Sequence, residues 1–297
     1  MPLPVCLVAA IFCACALSAA EQQKAADKDA EKPEATKFIR VAKSEDDSPQ
    51  SMDTAIVRYT PADSKFPKLK VDLIAAVHVG EAEYYRQLNR RFKKYDALLY
   101  ELVAPEGTRI PKGGGGATRS SPLGAVQGGM TSVLGLKFQL EEIDYTPENL
   151  VHADLSPEEF SRSMKDRGES FMQMFFRMMG QAMAQQSRDP SGSGDMKLLM
   201  ALFAKDRELR LKRIMAEQFQ DLEGSIAALE GPNGSTIISE RNKRALEVLQ
   251  KQIKAGKRRI GIFYGAGHLP GMERRLIDDF GLERAGVEWL EAWNLRQ

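Results

Sequence analysis

From Asp53 onward, short apolar runs alternate with amphipathic stretches. "TAIVRYT" and "VDLIAAV" read as strands, and "DALLYEL" (96–102) reads as a third. Between the second and third lies "EAEYYRQLNRRFKKY", a helical stretch. Strand, helix, strand predicts a βαβ unit and a parallel sheet. The same grammar returns near the end. "SERNKRALEVLQKQIKAG" predicts a helix closed by Gly256, and residues 260–264 predict a buried strand. "MERRLIDDF" then predicts a helix ended by Gly281, and "VEWLEAW" a last strand. In the middle, "DLSPEEF" opens a helix, with Ser156 as cap, Pro157 in the first position and Glu159 completing a capping box. "FMQMFFRMMGQAMAQQ" is rich in methionine at spacings that suit a broad apolar helix face, either core or a flexible substrate-facing surface. A charged amphipathic stretch runs from about Met196 to Leu229. The expected architecture is α/β: a mixed, mainly parallel sheet flanked by helices, with a helical insertion over about residues 155–235.

Composition adds a front end to this picture. The first twenty residues are apolar and end in small side chains, with Ser18 and Ala20 placed for cleavage before Glu21. Residues 1–20 are therefore expected to be a signal peptide and residues 21–52 a charged, poorly ordered lead-in, leaving 53–297 as one domain. Cys6, Cys13 and Cys15 all fall inside the signal, so the mature chain would have neither a disulfide nor a thiolate site. No later apolar run approaches the roughly 18–20 residues of a membrane span. The expected location is secreted or periplasmic. Lysine and arginine total 42 against 41 acidic residues, which gives no electrostatic case for nucleic acid. "PKGGGGATRSS" fails as a phosphate loop because its lysine precedes the glycines, and it reads as a surface loop.

Candidate chemistry gathers at strand ends. His78 closes "VDLIAAVH", His268 follows "RIGIFYGAGH", and Glu101 ends "DALLYE". Ligands bind beyond the carboxyl ends of parallel strands, where crossovers leave a crevice. A carboxylate on an apolar strand must be paired, protonated or metal-bound. Two imidazoles and one carboxylate there could converge on a divalent ion with open positions for water. Either histidine could equally be an ordinary hydrogen-bonded packing residue. The third histidine, His152, reads as a loop residue that Asp154 could orient, and Glu81 as the opening of the next helix. Neither zincin order of histidines and glutamate occurs.

"AAVHVGEAEYY…YDALLYELVAPEG", "ISERNKRALEVL" and "GIFYGAGHLPGM", in that order over about residues 54–293, resemble the TraB/GumN group. That group includes the Tiki-type metalloproteases and belongs to a superfamily with erythromycin esterases and haem-binding ChaN-like proteins. Gly265-Ala-Gly-His268 matches one of its two G-x-x-H motifs and Glu101 its glutamate, while the other motif reads Ala75-Ala-Val-His78, with alanine for glycine. Ser239-Glu-Arg-Asn242 matches a Glu-Arg-Asn/Asp element. The resemblance implies an exported metal-dependent hydrolase of the metallopeptidase kind, acting on a peptide or small molecule. His78, His268 and Glu101 would hold a divalent ion, Glu101 would also serve as base, and Arg241 would hold Glu101 or a substrate oxyanion. Two alternatives stay open: metal-free acid–base hydrolysis, and a non-enzymatic protein that binds haem or another ligand on the same fold.

Overall fold

The protein is described by a computed structural model. The structure describes residues 37–63, 66–108, 110–113, 131, 133–170, 200–229 and 234–296. The expected signal, most of the glycine-rich loop and the methionine-rich stretch lie outside the described residues.

Strands β1 (Ile39–Lys43), β2 (Pro49–Pro61) and β3 (Lys70–Ala76) come first, then β4 (Val79–Gly80) and helix α1 (Ala82–Phe92). Strand β5 (Ala97–Tyr100), β6 (Lys137–Phe138), short α2 (Gln139–Glu142) and β7 (Leu150–His152) follow. Helices α3 (Pro157–Asp166) and α4 (Arg207–Leu229) lead to a π turn, Thr236–Glu240, and α5 (Arg241–Lys254). Strand β8 (Arg259–Gly265), a 3-10 turn (Ala266–His268), α6 (Leu269–Asp278) and β9 (Leu282–Asn294) complete the chain.

One seven-stranded sheet organises these elements. Its parallel part runs β3-β8-β5-β7, and β1, β2 and β9 extend it antiparallel. The α/β expectation holds. In β3, every residue after Lys70 is buried, and so are all four of β5, as strands covered on both faces must be. Helix α1 buries Tyr84, Tyr85, Leu88 and Phe92, one stripe at helical spacing. Its tyrosine hydroxyls donate to the carbonyls of Ala75 and Val77, each at 3.0 Å, which ties the helix to the end of β3.

Strand β8 lies between β3 and β5, so the first βαβ unit spans a gap that a segment about 160 residues later fills. The lead-in expected through residue 52 is shorter than the sequence suggests. Phe38 is fully buried, β1 pairs Ile39 with Thr54, and Arg40 meets Asp53 at 3.0 Å. An apolar pair inside a charged stretch is enough to start a strand when a long partner waits beside it. Of the expected insertion, the described residues show α3 and α4. The capping box at Ser156 is formed, with Ser156 Oγ accepting from the Glu159 amide at 3.1 Å and Glu159 from the Ser156 amide at 2.9 Å. Gly256, at φ +88°, ends α5 in the left-handed region as expected.

Candidate functional site

Each of the four parallel strands delivers one chemically capable side chain just beyond its carboxyl end. Glu101 follows β5, Asp154 follows β7, His78 follows β3, and His268 sits at the end of the 3-10 turn after β8. Arg241, the first residue of α5, reaches in from the facing helix.

Arg241 is the hub. Its Nε donates to Asp154 Oδ1 at 2.9 Å, and its Nη2 donates to Asp154 Oδ2 at 2.6 Å and to Glu101 Oε1 at 2.7 Å. The side chain of Asp154 is fully buried, and those of Arg241 and Glu101 are 11% and 14% exposed. Two carboxylates against one guanidinium leave the cluster short of a positive charge. Glu101 Oε2 finds its own donor in the Gly265 amide at 2.6 Å. Gly265 has φ −50°, open to any residue, so what its glycine supplies is space: a Cβ there would lie 3.2 Å from Glu101 Oε2 and would push the carboxylate by a few tenths of an ångström. The turn itself does not demand it.

Asn242 fixes His268. Its Nδ2 donates to the His268 carbonyl at 3.0 Å, which orients the amide so that Oδ1 faces His268 Nδ1 at 2.7 Å. Nδ1 therefore carries the proton and Nε2 the lone pair. Nε2 points at Arg241 Nη1, 3.4 Å away, with Glu101 Oε1 at 3.6 Å. The Tyr264 ring packs against His268 in a T-shaped pair with centroids 5.3 Å apart, and its hydroxyl donates to the Ala153 carbonyl. Burial pushes the His268 imidazole down to about 4; Glu101 pulls the other way, and Arg241 reinforces burial. At Glu101 burial works against the anion, yet His268, Arg241 and the Gly265 amide outweigh it and hold the carboxyl near about 2. With His268 neutral at pH 7, that anion rests on Arg241 and the amide.

His78 stands apart in exposure. It is at the surface, with its carbonyl accepting from the Gln139 amide at 2.8 Å, while its charge is felt by both Glu101 and His268. Of the residues expected from sequence, the structure brings Glu101, Arg241 and His268 into direct contact and leaves His78 at the rim. Asp154 and Asn242 are the members that sequence reading did not assign. Asp154 was set beside His152, but His152 Nε2 meets the Leu102 carbonyl at 2.6 Å, and Asp154 turns to Arg241. The spacing of Asn242, directly after Arg241 in the quoted element, was the available signal.

The resemblance implies a divalent ion here. Nε2 and Oε1 are close enough to share one, but Arg241 already faces both, and a fixed like charge there opposes a cation. Among the described residues no three histidine, aspartate or glutamate side chains form a ligand set. The residues, as arranged, fit a guanidinium and not an ion. A cavity of about 530 Å³ lined by His152, Asp154, Ser156, Glu159, Arg244 and Val248 touches the cluster through Asp154. A larger one, about 980 Å³ between α1 and α4, contains none of the cluster's residues.

Comparison of the chain with family models, curated proteins and solved structures finds no match.

Proposed function

We propose that the chain is an exported hydrolase, of the TraB/GumN kind, acting on a peptide or small molecule at the strand-end cluster. The observation that carries this reading is the fixed, neutral His268 beside a buried Glu101–Arg241–Asp154 network, with an exposed imidazole at the rim. His78, open to solvent, takes the proton from attacking water. Arg241 Nη1, which is not committed to a carboxylate, stabilises the developing oxyanion. Glu101 and Asp154 hold the guanidinium in place, and His268 accepts from its remaining edge. The apolar first twenty residues support export.

A second reading puts a divalent ion between His268 and Glu101. What favours it is the bond from Nδ1 to Asn242, the outer support that ligating imidazoles usually have, together with the cluster's unanswered negative charge. It requires Arg241 to give up its contact with Nε2.

The test is a panel of chromogenic esters and fluorogenic peptides with wild type, His78→Ala and Glu101→Gln, alongside elemental analysis of the purified protein. Hydrolysis that survives chelation and falls by about 10²–10⁴ in His78→Ala at unchanged melting temperature supports the first reading. A stoichiometric ion whose removal abolishes turnover favours the second. Absence of any hydrolysis, or full activity in His78→Ala, overturns the acid–base assignment.

A further inference from the structure

The opposite end of the sheet holds a second charged cavity, of about 310 Å³. Its walls carry Arg58, Lys70, Arg91, Lys94 and Arg259. The carboxylates there are Asp72 and Glu288, and Asp96 beside the cavity pairs with Arg259, which leaves a surplus of two positive charges in a chain whose net charge is only +1.

The topology explains how these side chains meet. Lys70 and Arg259 open β3 and β8 and are register partners across the parallel pair. Asp72 is two residues along β3 from Lys70, on the same face, and faces Arg58 across β2. The end of α1 brings Arg91 and Lys94 over them.

Both acids are already spent. Asp72, 2% exposed, accepts from Arg58 Nε and Nη2 at 2.8 Å each and from the Tyr95 hydroxyl at 2.8 Å. Glu288 accepts from both terminal nitrogens of Arg91, at 2.8 and 2.7 Å. Arg259 pairs with Asp96 at 3.4 Å, whereas among the described residues Lys70 and Lys94 have no ion pair. Like charges set side by side across a strand pair are unfavourable. The carboxyl end of α1 offers roughly half a negative charge, well short of the two lysine charges. The Asp72 and Glu288 pairs occupy one fork of each guanidinium and hold it in a fixed orientation, which leaves the remaining N–H groups, on Arg58 Nη1 and Arg91 Nε among them, to meet phosphate oxygens.

We infer that this cavity binds a small anion carrying a phosphate or diphosphate group, at a site separate from the strand-end cluster. Arg58 and Arg91 orient the group, and Lys70, Lys94 and Arg259 neutralise it.

The probe is inorganic pyrophosphate, titrated calorimetrically into the full-length mature protein at fixed ionic strength. Wild type should bind one equivalent saturably, and Lys70→Ala/Lys94→Ala should bind at least tenfold more weakly while melting as wild type does. Both lysines are exposed, so their removal leaves the fold intact. Lys165→Ala/Lys205→Ala makes the same change of charge at exposed positions that neither line the cavity nor adjoin its residues in sequence, and should bind as wild type does. No saturable binding to wild type, undiminished binding in the first double variant, or an equal loss in the second would each overturn the assignment.

Discussion

The two ends of the parallel sheet treat charge in opposite ways. At the carboxyl ends, Asp154, Glu101 and Arg241 are nearly closed off from water, and every carboxylate oxygen of Glu101 and Asp154 has a donor. At the amino ends, Lys70 and Arg259 stand side by side in the open, with Asp96, 3.4 Å from Arg259, as the one carboxylate paired to either among the described residues. The difference is one of dielectric. Buried carboxylate oxygens must each find a donor, even where the net charge is not cancelled, because an uncompensated buried charge costs several kcal/mol. Exposed charges are screened within about 8–10 Å by salt, so a surplus can stand and remain available to a ligand.

The sharpest way to break this comparison is Arg241→Met. It strands two buried carboxylates and should cost about 3–5 kcal/mol in chemical denaturation. A loss below about 1 kcal/mol would show that the cluster is wetter than its burial indicates. Acid comes next. His268 is held at about 4 against an ordinary 6.5, so between those values the unfolded chain binds the extra proton. Stability present above pH 6.5 therefore falls as the pH drops toward 4, by on the order of 3 kcal/mol. Glu101, held at about 2 against 4.5, extends the loss below pH 4.5 with the same sign. Urea midpoints across this range should fall steadily in wild type and stay flatter down to about pH 4.5 in His268→Gln; identical slopes in the two proteins would contradict the assignment to His268. The smallest effect belongs to the other end. Lys70→Ala should shift stability by no more than about 0.5 kcal/mol, upward if relief from Arg259 dominates. A large loss by thermal denaturation would mean that Lys70 is structural after all.

Much of the scaffold was legible because its signals are local. Continuous apolar runs marked β3, β5 and β8, and Ser156 and Gly256 marked the ends of helices. The three-residue β7 gave no such signal, and β1 was hidden among charges. The order of strands was not readable either, since β8 pairs with two segments that precede it by well over a hundred residues. At the site, Glu101 was conspicuous as an acid on an apolar strand, and its contact with Arg241 had a stated rationale. Asp154 was given the wrong neighbour because His152 is two residues away in sequence, whereas Arg241 comes beside it only once the sheet has formed. The exposure of His78 could not be read from a motif that treats both histidines alike.

The position of β8 also sets the order of assembly. β3 and β5 share no edge in the finished sheet; each waits for β8, which ends at Gly265. The chain must therefore be synthesised through Gly265 before the parallel core can close, and contacts of such long sequence separation form slowly. Until then Glu101 has no amide at Gly265 to meet and Arg241 no finished crevice to enter. The strand-end cluster therefore cannot form before β8 is in place.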